Sequence, residues 1–471
     1  MKDSGAGDAV AIAPGEELPE GWVRAKLGEL GEWYGGGTPS KRRPEFWADG
    51  TIPWLSPKDM GEAVLSGTQD LIHKSALNES PVKKLPAGSV VLVVRSGILE
   101  RKVPVAYVPF EVTLNQDMKA VVPHKGIEAR WLASMIKALE RPILDRCRKQ
   151  GTTVASLEVS RLMEMEIPVP PLSEQRRIVA KLDEQLAHVE AGAAASDAAQ
   201  RLIRRLWSGV LQSLVTGEAL AGVEAPEGKP VGEVAKVSGG IQKSGKRRPV
   251  ENKFPFLRVA NVPRGSLDLL DIHEIELFDG EIERHRLSYG DLLVVEGNGS
   301  PDQIGRAAMW RDDIKDCVHQ NHLIRVSPGV SLVPEYLELV WNAPGTAAQL
   351  RAVAASTSGL YTLSTAKVKS IVIPVPAIKD QEALVRKAHE ARLAIDEASS
   401  VVATATSQAL NLRSALLSAA LSGTLVPQDP TDEPASVLLD RIRAQRLTAV
   451  RPVRKRAPRK TTPPGQEELP Q

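Results

Sequence analysis

The chain is written twice. IPVP at Ile167–Pro170 runs on into PLSEQRRIVAKLDEQLA, and 206 residues later IPVP at Ile373–Pro376 runs on into AIKDQEALVRKAHEARLA. TGEAL at Thr216–Leu220 meets SGTLV at Ser422–Val426 at the same spacing, so the span keeps its length without a gap. Two copies of one plan require two cores and present two equivalent surfaces in a fixed relation. At 471 residues the chain has length for this, being too long for a single core. Its 42% hydrophobic and 25% charged content is that of a globular protein. No apolar run approaches the roughly 18 residues of a membrane span. The opening MKDSGAGDAVAIAPGEE has neither a basic n-region nor an apolar h-region, and Cys147 and Cys317 stand far apart. These features imply a cytoplasmic protein with reduced thiols and no membrane partner.

Each half opens with short strands punctuated by Gly and Pro. In the first these are WVRAKLGEL, IPWLSP, GSVVLVVRSG and MKAVVP; in the second KPVGEVAKVSGG, FPFLRVAN, GDLLVVEGNG and HLIRVSP. A helix is expected over Arg130 to Cys147, with a counterpart over Pro334 to Val353. Gly28 pairs with Gly232, Gly35 and Gly36 with Gly239 and Gly240, Gly88 with Gly290, Gln116 with Gln320, and Trp131 with Tyr336. The offsets drift here, as loop insertions would make them. Two long helices, 173 to 216 and 379 to 422, close the halves behind an IPVP turn. Val179, Leu182, Leu186, Val189, Ala193, Ser196, Gln200, Ile203, Trp207, Val210 and Leu214 recur in steps of three and four in the first; Leu384, Ala388, Ala391, Ile395, Ala398, Val402, Ala405, Ala409, Leu412, Leu416 and Ala419 do so in the second. Each helix would measure about 65 Å, and the seams predict one antiparallel coiled-coil pair holding the two halves apart. Separate helices lying on their own domains are the alternative. The expected fold class is α/β (α+β), with a flexible tail over 1–18, a domain over 19–166, a helix over 167–220, a second domain over 221–372, a second helix over 373–426 and a basic, disordered tail over 427–471.

The net charge of +2 is uninformative, but its distribution is not. Residues 229–258 hold eight Lys or Arg against two Glu, and residues 441–460 hold nine with no acid, a pattern that attracts polyanions. GIQKSGK at Gly240–Lys246 imitates a phosphate-binding loop, yet Arg247 stands where Ser or Thr would hold magnesium and prolines follow. Its counterpart GGGTPSKRRP (Gly35–Pro44) gathers Lys41, Arg42 and Arg43 after the same glycines. Lys243, Lys246, Arg247 and Arg248 in the one loop, and those three in the other, are candidates for DNA phosphates and guanine edges. Plain exposed hairpin tips are the alternative. Lys58, Arg95, Arg258, Asn261 and Asn298 lie on or beside proposed strands and are further candidates. So are Thr152, Thr153, Ser358 and Tyr361, in two hydroxyl-rich segments that align before the IPVP copies, although a structural turn would explain them equally. Cys317, His319 and His322 have ligand-type side chains, but their counterparts Thr113, Asn115 and Met118 argue against a metal. Asp302, Asp313 and Lys315 form a loose nuclease-like pattern without an equivalent in the first half. No Gly-rich methyltransferase cofactor loop and no Asp/Asn-Pro-Pro-aromatic motif is present. A DNA-free coiled-coil scaffold is the remaining competitor.

LPEGWVRAKLGEL, GGGTPS, IPWLSPKDM and IPVPPLSEQRRIVAKLDE with its second copy resemble the specificity subunits of type I restriction-modification systems, over roughly residues 18 to 426. The resemblance implies two target recognition domains, each reading one half of a split double-stranded DNA sequence. It also implies no catalysis in this chain, and assembly with two modification subunits that use S-adenosylmethionine and with restriction subunits that use ATP and Mg. Partner contacts through Glu174, Gln175 and Arg176 would follow. The second copy, KDQEALVRKAHE, departs from the pattern, and these contacts do not carry over to Gln381.

Overall fold

The computed structural model describes residues 17–149, 154–218, 226–357 and 360–448, with backbone alone for 355–357. It divides into two compact units, Met1–Ala193 with Ser407–Gln471, and Ala194–Thr406. Each unit therefore contains one globular domain, the start of one long helix and the end of the other.

In the first unit the strands are β1 (Val23–Lys26), β2 (Gly31–Gly35), β3 (Ile52–Leu55), β4 (Asp70–Ile72), β5 (Ser89–Val93), β6 (Val105–Val108), β7 (Thr113–Leu114), β8 (Met118–Pro123) and β9 (Glu166–Val169). They form sheets ordered β2-β8-β5-β6, β4-β3-β7 and β1-β9. The second unit has β10 (Gly228–Pro230), β11 (Ala235–Gly239), β12 (Lys253–Leu257), β13 (His273–Glu276), β14 (Leu292–Val295), β15 (Gly297–Asn298), β16 (Ala307–Met309), β17 (Val318–His319), β18 (Leu323–Pro328), β19 (Ala355–Thr357), β20 (Leu360–Thr362) and β21 (Val372–Pro374). Its sheets β11-β18-β14-β16, β13-β12-β17 and β10-β21 repeat the first plan, and β15-β20-β19 is added.

The unbroken apolar runs have a direct physical reading. Along β5 the pleat sends Val90 and Leu92 into one core cluster and Val91 and Val93 into another. Along β14 it divides Leu292 and Val294 from Leu293 and Val295 in the same way. Both strands are central and covered on both faces, so neither shows polar alternation. Gly88 and Gly290, just ahead of them, have φ of +89° and +90°, the left-handed region open to glycine.

Three secondary-structure expectations differ from the structure. IPVP is a strand, not a turn: Val23 pairs with Val169 and Ala25 with Ile167, and in the second copy Lys229 pairs with Ile373. The helix expected over Arg130 to Cys147 is two, Ala129–Ala138 and Glu140–Cys147; its counterpart is Pro334–Asn342 and Pro344–Val353. Pro142 and Pro344 lie in the first turns of the second members, where a missing N–H leaves no helical bond unmade. The third correction concerns 427–471. Far from being a disordered tail throughout, it contains a helix, Ala435–Thr448, with Ala435, Leu438, Leu439 and Ile442 buried in the first unit's core. Leu438 fills the space that a side chain at Gly126 would need. Asp432 pairs with Arg177 at 2.7 Å, Arg443 with Glu29 at 3.3 Å, and the Ala435 amide donates to the Gly21 carbonyl. Helical spacing of four apolar residues is hidden among the arginines. The basic residues after 448 and the tail over 1–16 lie outside the described residues.

The long helices run over Leu172–Thr216 and Ile378–Ser422 and end at Gly217 and Gly423, with φ of +82° and +75°. Within the first unit Glu190 faces Arg413 at 4.0 Å while Leu182 shares a core with Ala420 and Leu421, so the two segments run antiparallel. Within the second, Arg392 lies over the Trp207 ring at 5.2 Å while Leu211 and Leu214 share a core with Leu384 and Ala388. The first seam is as expected: Leu182 and Val189 are buried and Leu186, Ile203, Trp207 and Val210 half-buried. In the second, Ile395, Val402 and Leu416 are half-buried, but Leu412 is 51% exposed and Ala398 and Ala405 face outward. The seam steps instead through Ser399, Thr406 and Arg413. The Ser399 and Thr406 hydroxyls donate to the carbonyls of Ile395 and Val402, which lets polar residues occupy a packed face.

One amide in each half fixes the domain to its helix. Gln175 Oε1 accepts the Glu128 N–H at 2.8 Å and its Nε2 donates to the Pro170 carbonyl at 3.0 Å. Gln381 accepts the Val333 N–H and donates to the Ser331 and Pro376 carbonyls, each at 2.8 Å. Both are wholly buried. Glu174 is buried too, accepting from the Trp22 indole at 2.9 Å and from Gln428 at 3.1 Å, and burial pushes its carboxyl above the usual range. Glu174 and Gln175 are thus internal, and of the trio expected to meet partners only Arg176 is exposed.

Two stability predictions follow from this packing. Gln175→Leu and Gln381→Leu each leave a buried N–H unpaired and should lower unfolding free energy by about 1–3 kcal/mol. Leu182→Ala should lower it by about 2–5 kcal/mol, while Leu412→Ala should stay within about 0.5 kcal/mol. Denaturant unfolding of the full chain measures all four.

Candidate nucleic-acid interface

The cationic loop of each domain leaves the sheet at a point where no side chain fits. A Cβ on Gly36 would lie 1.9 Å from the Asn115 carbonyl oxygen, and one on Gly240 2.4 Å from those of His319 and Gln320. The chain is then pinned to the adjoining corner: Gly37 N–H donates to the Leu114 carbonyl at 2.8 Å, and Ile241 N–H to that of His319 at 2.9 Å. The Trp54 indole donates to the Gly37 carbonyl at 3.0 Å, the Trp47 indole to that of Ser40 at 3.3 Å, and Thr38 bonds Gln116. Hydrogen-bond register corrects one pairing made from the sequence. Asn115 N–H donates to Leu55 and Gln320 N–H to Leu257, so Gln320 corresponds to Asn115 and not to Gln116. By the same register His319 corresponds to Leu114 and His322 to Asp117.

Loop cations separate into two classes. Lys41, Arg42, Lys243, Lys246 and Arg248 are exposed, and among the described residues no ion pair engages them. Arg43 pairs with Glu45 and Glu79, each at 2.7 Å, and stacks on Phe46. Arg247 forms a two-pronged pair with Glu281, both contacts 2.7 Å, lies over Phe278, and has only 17% of its side chain exposed. That guanidinium holds the Glu281 carboxyl down to about 2. Arg247 is therefore a fixture of the loop's base and not a free DNA contact, a distinction that adjacent arginines in a sequence do not reveal.

The remaining candidates collect beyond the ends of the central strands. Arg95 bridges Ser156 in an antiparallel pair, and Gly297 and Asn298 pair with Thr362 and Tyr361 in β15 and β20. Of the hydroxyl-rich segments, the second contributes the paired strands β19 and β20, while the first is tied to Arg95 by an isolated bridge at Ser156. Thr152, Thr153 and Ser358 fall outside the described residues. Asn298 accepts the Ser300 N–H at 2.8 Å. Arg95 pairs with Asp117 at 2.6 Å; in the second domain His322, the register counterpart of Asp117, meets Glu296 at 2.9 Å, and Glu296 stands at the ladder position of Val94, one residue before that of Arg95. Lys58 pairs with Asp70 at 2.9 Å, and Arg258 with Asp271 at 2.7 Å. Asn261 is overturned as a base contact. It is 3% exposed, accepts the Arg258 N–H and donates to the carbonyls of Asp268 and Asp271, which leaves it no free group.

Cys317, His319 and His322 turn to separate surroundings. Burial pushes the Cys317 thiol up to about 12 and holds His319 down to about 3, a neutral ring whose Nδ1–H donates to the Leu323 carbonyl at 3.1 Å. Among the described residues no group of His, Cys, Asp and Glu has the arrangement to hold a metal, and no helix is long and apolar enough to cross a membrane.

Because the folded-state value of Glu281 is depressed, its contribution to stability is present above about 4.5 and is lost as pH falls toward 2. Glu281→Gln should flatten acid unfolding in that window, and Arg247→Ala should remove the same pH dependence while lowering stability at neutral pH. Carboxyl-detected NMR titration of Glu281 checks the value directly.

The family model described as the type I restriction modification DNA specificity domain matches residues 19–192. The chain is similar to the EcoR124I/EcoR124II specificity subunit of Escherichia coli, 48% identical over 165 residues, which cover 35% of this chain and 41% of that one. It is also similar to the EcoKI specificity subunit of Escherichia coli (strain K12), 26% identical over 459 residues, covering 92% of this chain and 97% of that one. It thus spans about two fifths of the first relative and nearly all of the second. Among solved structures, a chain from work on complex assembly and conformational transition of the type I R-M system superimposes with a TM-score of 0.66, at 17% identity, over 87% of this chain and 100% of that one. That last likeness speaks to fold alone, and it extends over both repeats. Over residues 19–192 the chain thus matches the type I restriction modification DNA specificity domain, and its similarity to type I specificity subunits extends over nearly its whole length.

Proposed function

We propose that this chain is the sequence-reading subunit of a type I restriction-modification complex, each domain reading one half of a bipartite double-stranded DNA target. The observation that carries this reading is the duplicated loop: two domains of one topology each release a lysine- and arginine-bearing segment from a glycine pinned on the same sheet corner. Lys41, Arg42, Lys243, Lys246 and Arg248, exposed and without an ion pair among the described residues, supply phosphate neutralisation and guanine-edge donors. Their loops differ in sequence, so the two half-sites differ. The chain itself is non-catalytic. Two modification subunits bring S-adenosylmethionine and restriction subunits bring ATP and Mg, and the complex works in the cytoplasm as an adenine methyltransferase and endonuclease against phage DNA. The long helices set the spacer between half-sites and offer exposed flanks, Leu202, Leu206, Leu393 and Val401 among them, to the modification subunits.

Sequencing methylated adenines in cells that carry the whole system tests this directly. A split, asymmetric motif with a fixed gap is expected; an undivided motif would contradict it. One heptad inserted into each helix should lengthen the gap by about 10 Å, roughly three base pairs, and an unchanged gap would remove the spacer role. Lys246→Ala with Arg248→Ala should weaken binding by about 1–3 kcal/mol per lost contact in a gel shift at fixed salt, leaving the fold intact. Arg247→Ala should instead act through stability.

A further inference from the structure

Asp302 belongs to a nuclease-like pattern in the sequence, and its surroundings give it a different role. It is 81% exposed at its side chain and lies in the connection between β15 and β16, four residues after Asn298. Arg351, from the helix Pro344–Val353, approaches its carboxylate at 3.8 Å, and Arg264 donates to its backbone carbonyl at 2.9 Å. Arg306 holds the adjoining loop by donating to the carbonyls of Val262 at 2.8 Å and Val259 at 3.2 Å. Two guanidiniums from separate parts of the second domain thus meet at Asp302, one at its carboxylate and one at its backbone carbonyl, with Arg306 bracing the loop that carries one of them. Among the described residues no other acid pairs with any of them, and Arg264 and Arg306 have no carboxylate partner. Crowding by protein atoms, then the charges of Arg306 and Arg351, push Arg264 below the ordinary arginine value. A site with this excess of like charge is relieved by an anion with several acceptor oxygens, which a phosphodiester supplies. In the first domain Pro104 stands at the ladder position of Arg306, accepting from Val93 as Arg306 accepts from Val295. Arg306 therefore has no cationic counterpart at that position of the first domain.

We propose that Arg264 and Arg351 form a backbone-phosphate clamp beside the Asn298 strand, with the Asp302 carboxylate holding the place that a DNA phosphate takes on binding. Arg306 is a positioning residue that fixes the Val259–Val262 loop from which Arg264 extends. The clamp rests on the reading of the second domain as a DNA reader and adds to it a sequence-independent anchor that sets register on the duplex.

The sign of one substitution decides the matter. Fluorescence anisotropy of the full chain on a labelled mixed-sequence duplex, across a salt series, should show Asp302→Asn binding more tightly, by a factor on the order of three to ten, because a competitor for the two arginines is gone. Asp313→Asn, which removes an exposed carboxylate elsewhere in the same domain, should have a clearly smaller effect. Arg264→Ala with Arg351→Ala should bind more weakly and flatten the dependence of log affinity on log salt by about one; Arg264→Lys with Arg351→Lys should keep most of that slope. If Asp302→Asn binds equally or more weakly, or matches Asp313→Asn, the clamp is wrong and Asp302 merely braces the loop. A wild-type chain with no affinity for duplex DNA would instead overturn the DNA-reading assignment itself.

Discussion

Everything that distinguishes the two halves is hung on one kind of contact that does not differ between them, the buried glutamine at the start of each long helix. Gln175 and Gln381 each accept the N–H of the residue that opens a domain helix, Glu128 and Val333, and each donates back to the proline that closes IPVP. A side-chain amide is suited to this because it offers an acceptor and donors from one rigid plane. The β9 and β21 strands, the first domain helix and the long helix therefore meet at a single point in each unit. Since the group is wholly buried, no water can replace the lost bonds, and the orientation of domain on helix is specified by geometry more than by packing alone.

Around that fixed joint the surfaces are free to diverge, and the pattern of divergence is informative. The loop anchor is retained through Gly36 and Gly240, while the segments beyond those glycines differ in length and charge. Asp117 of one domain becomes His322 in the other, and their partners come from neighbouring ladder positions, Arg95 in the first and Glu296, the counterpart of Val94, in the second. Such a change alters the donors and acceptors offered at the rim. A scaffold whose joints are internal and whose rim is exchangeable can present different readers without changing its core.

The sequence is legible where a physical period or a duplicated spacing governs it. The duplicated plan and the extents of both long helices can be read from it because duplication and burial impose regular spacing. It misleads where a polar residue takes a buried post. Ser399, Thr406 and Arg413 occupy the second seam because the two hydroxyls bond back to their own helix, and counting apolar residues therefore drifts to Ala398, Ala405 and Leu412. Residue type alone marks Asn261 and Arg247 as DNA contacts; partners at Asp268, Asp271 and Glu281, outside any local pattern, consume their hydrogen bonds. The C-terminal helix escapes a sequence reading because four apolar side chains among arginines carry little weight until Gly126 and the first unit's core are there to receive them.

The C-terminal helix also introduces an asymmetry that duplication alone does not. Gln428 and Asp432 reach Glu174 and Arg177 at the start of the first long helix, so the last described stretch of the chain covers the joint made by Gln175. At the second joint the register counterpart of Lys125 is Val330, fully exposed, and Gly126, covered by Leu438, corresponds to the exposed Ser331. Removing the strap would expose Leu438's seat and leave the buried Glu174 carboxylate with the Trp22 indole alone, so its loss should be felt at the first joint and not at the second. Among the described residues the two readers are therefore equivalent in architecture and unequal in how they are held, because the strap serves the first joint.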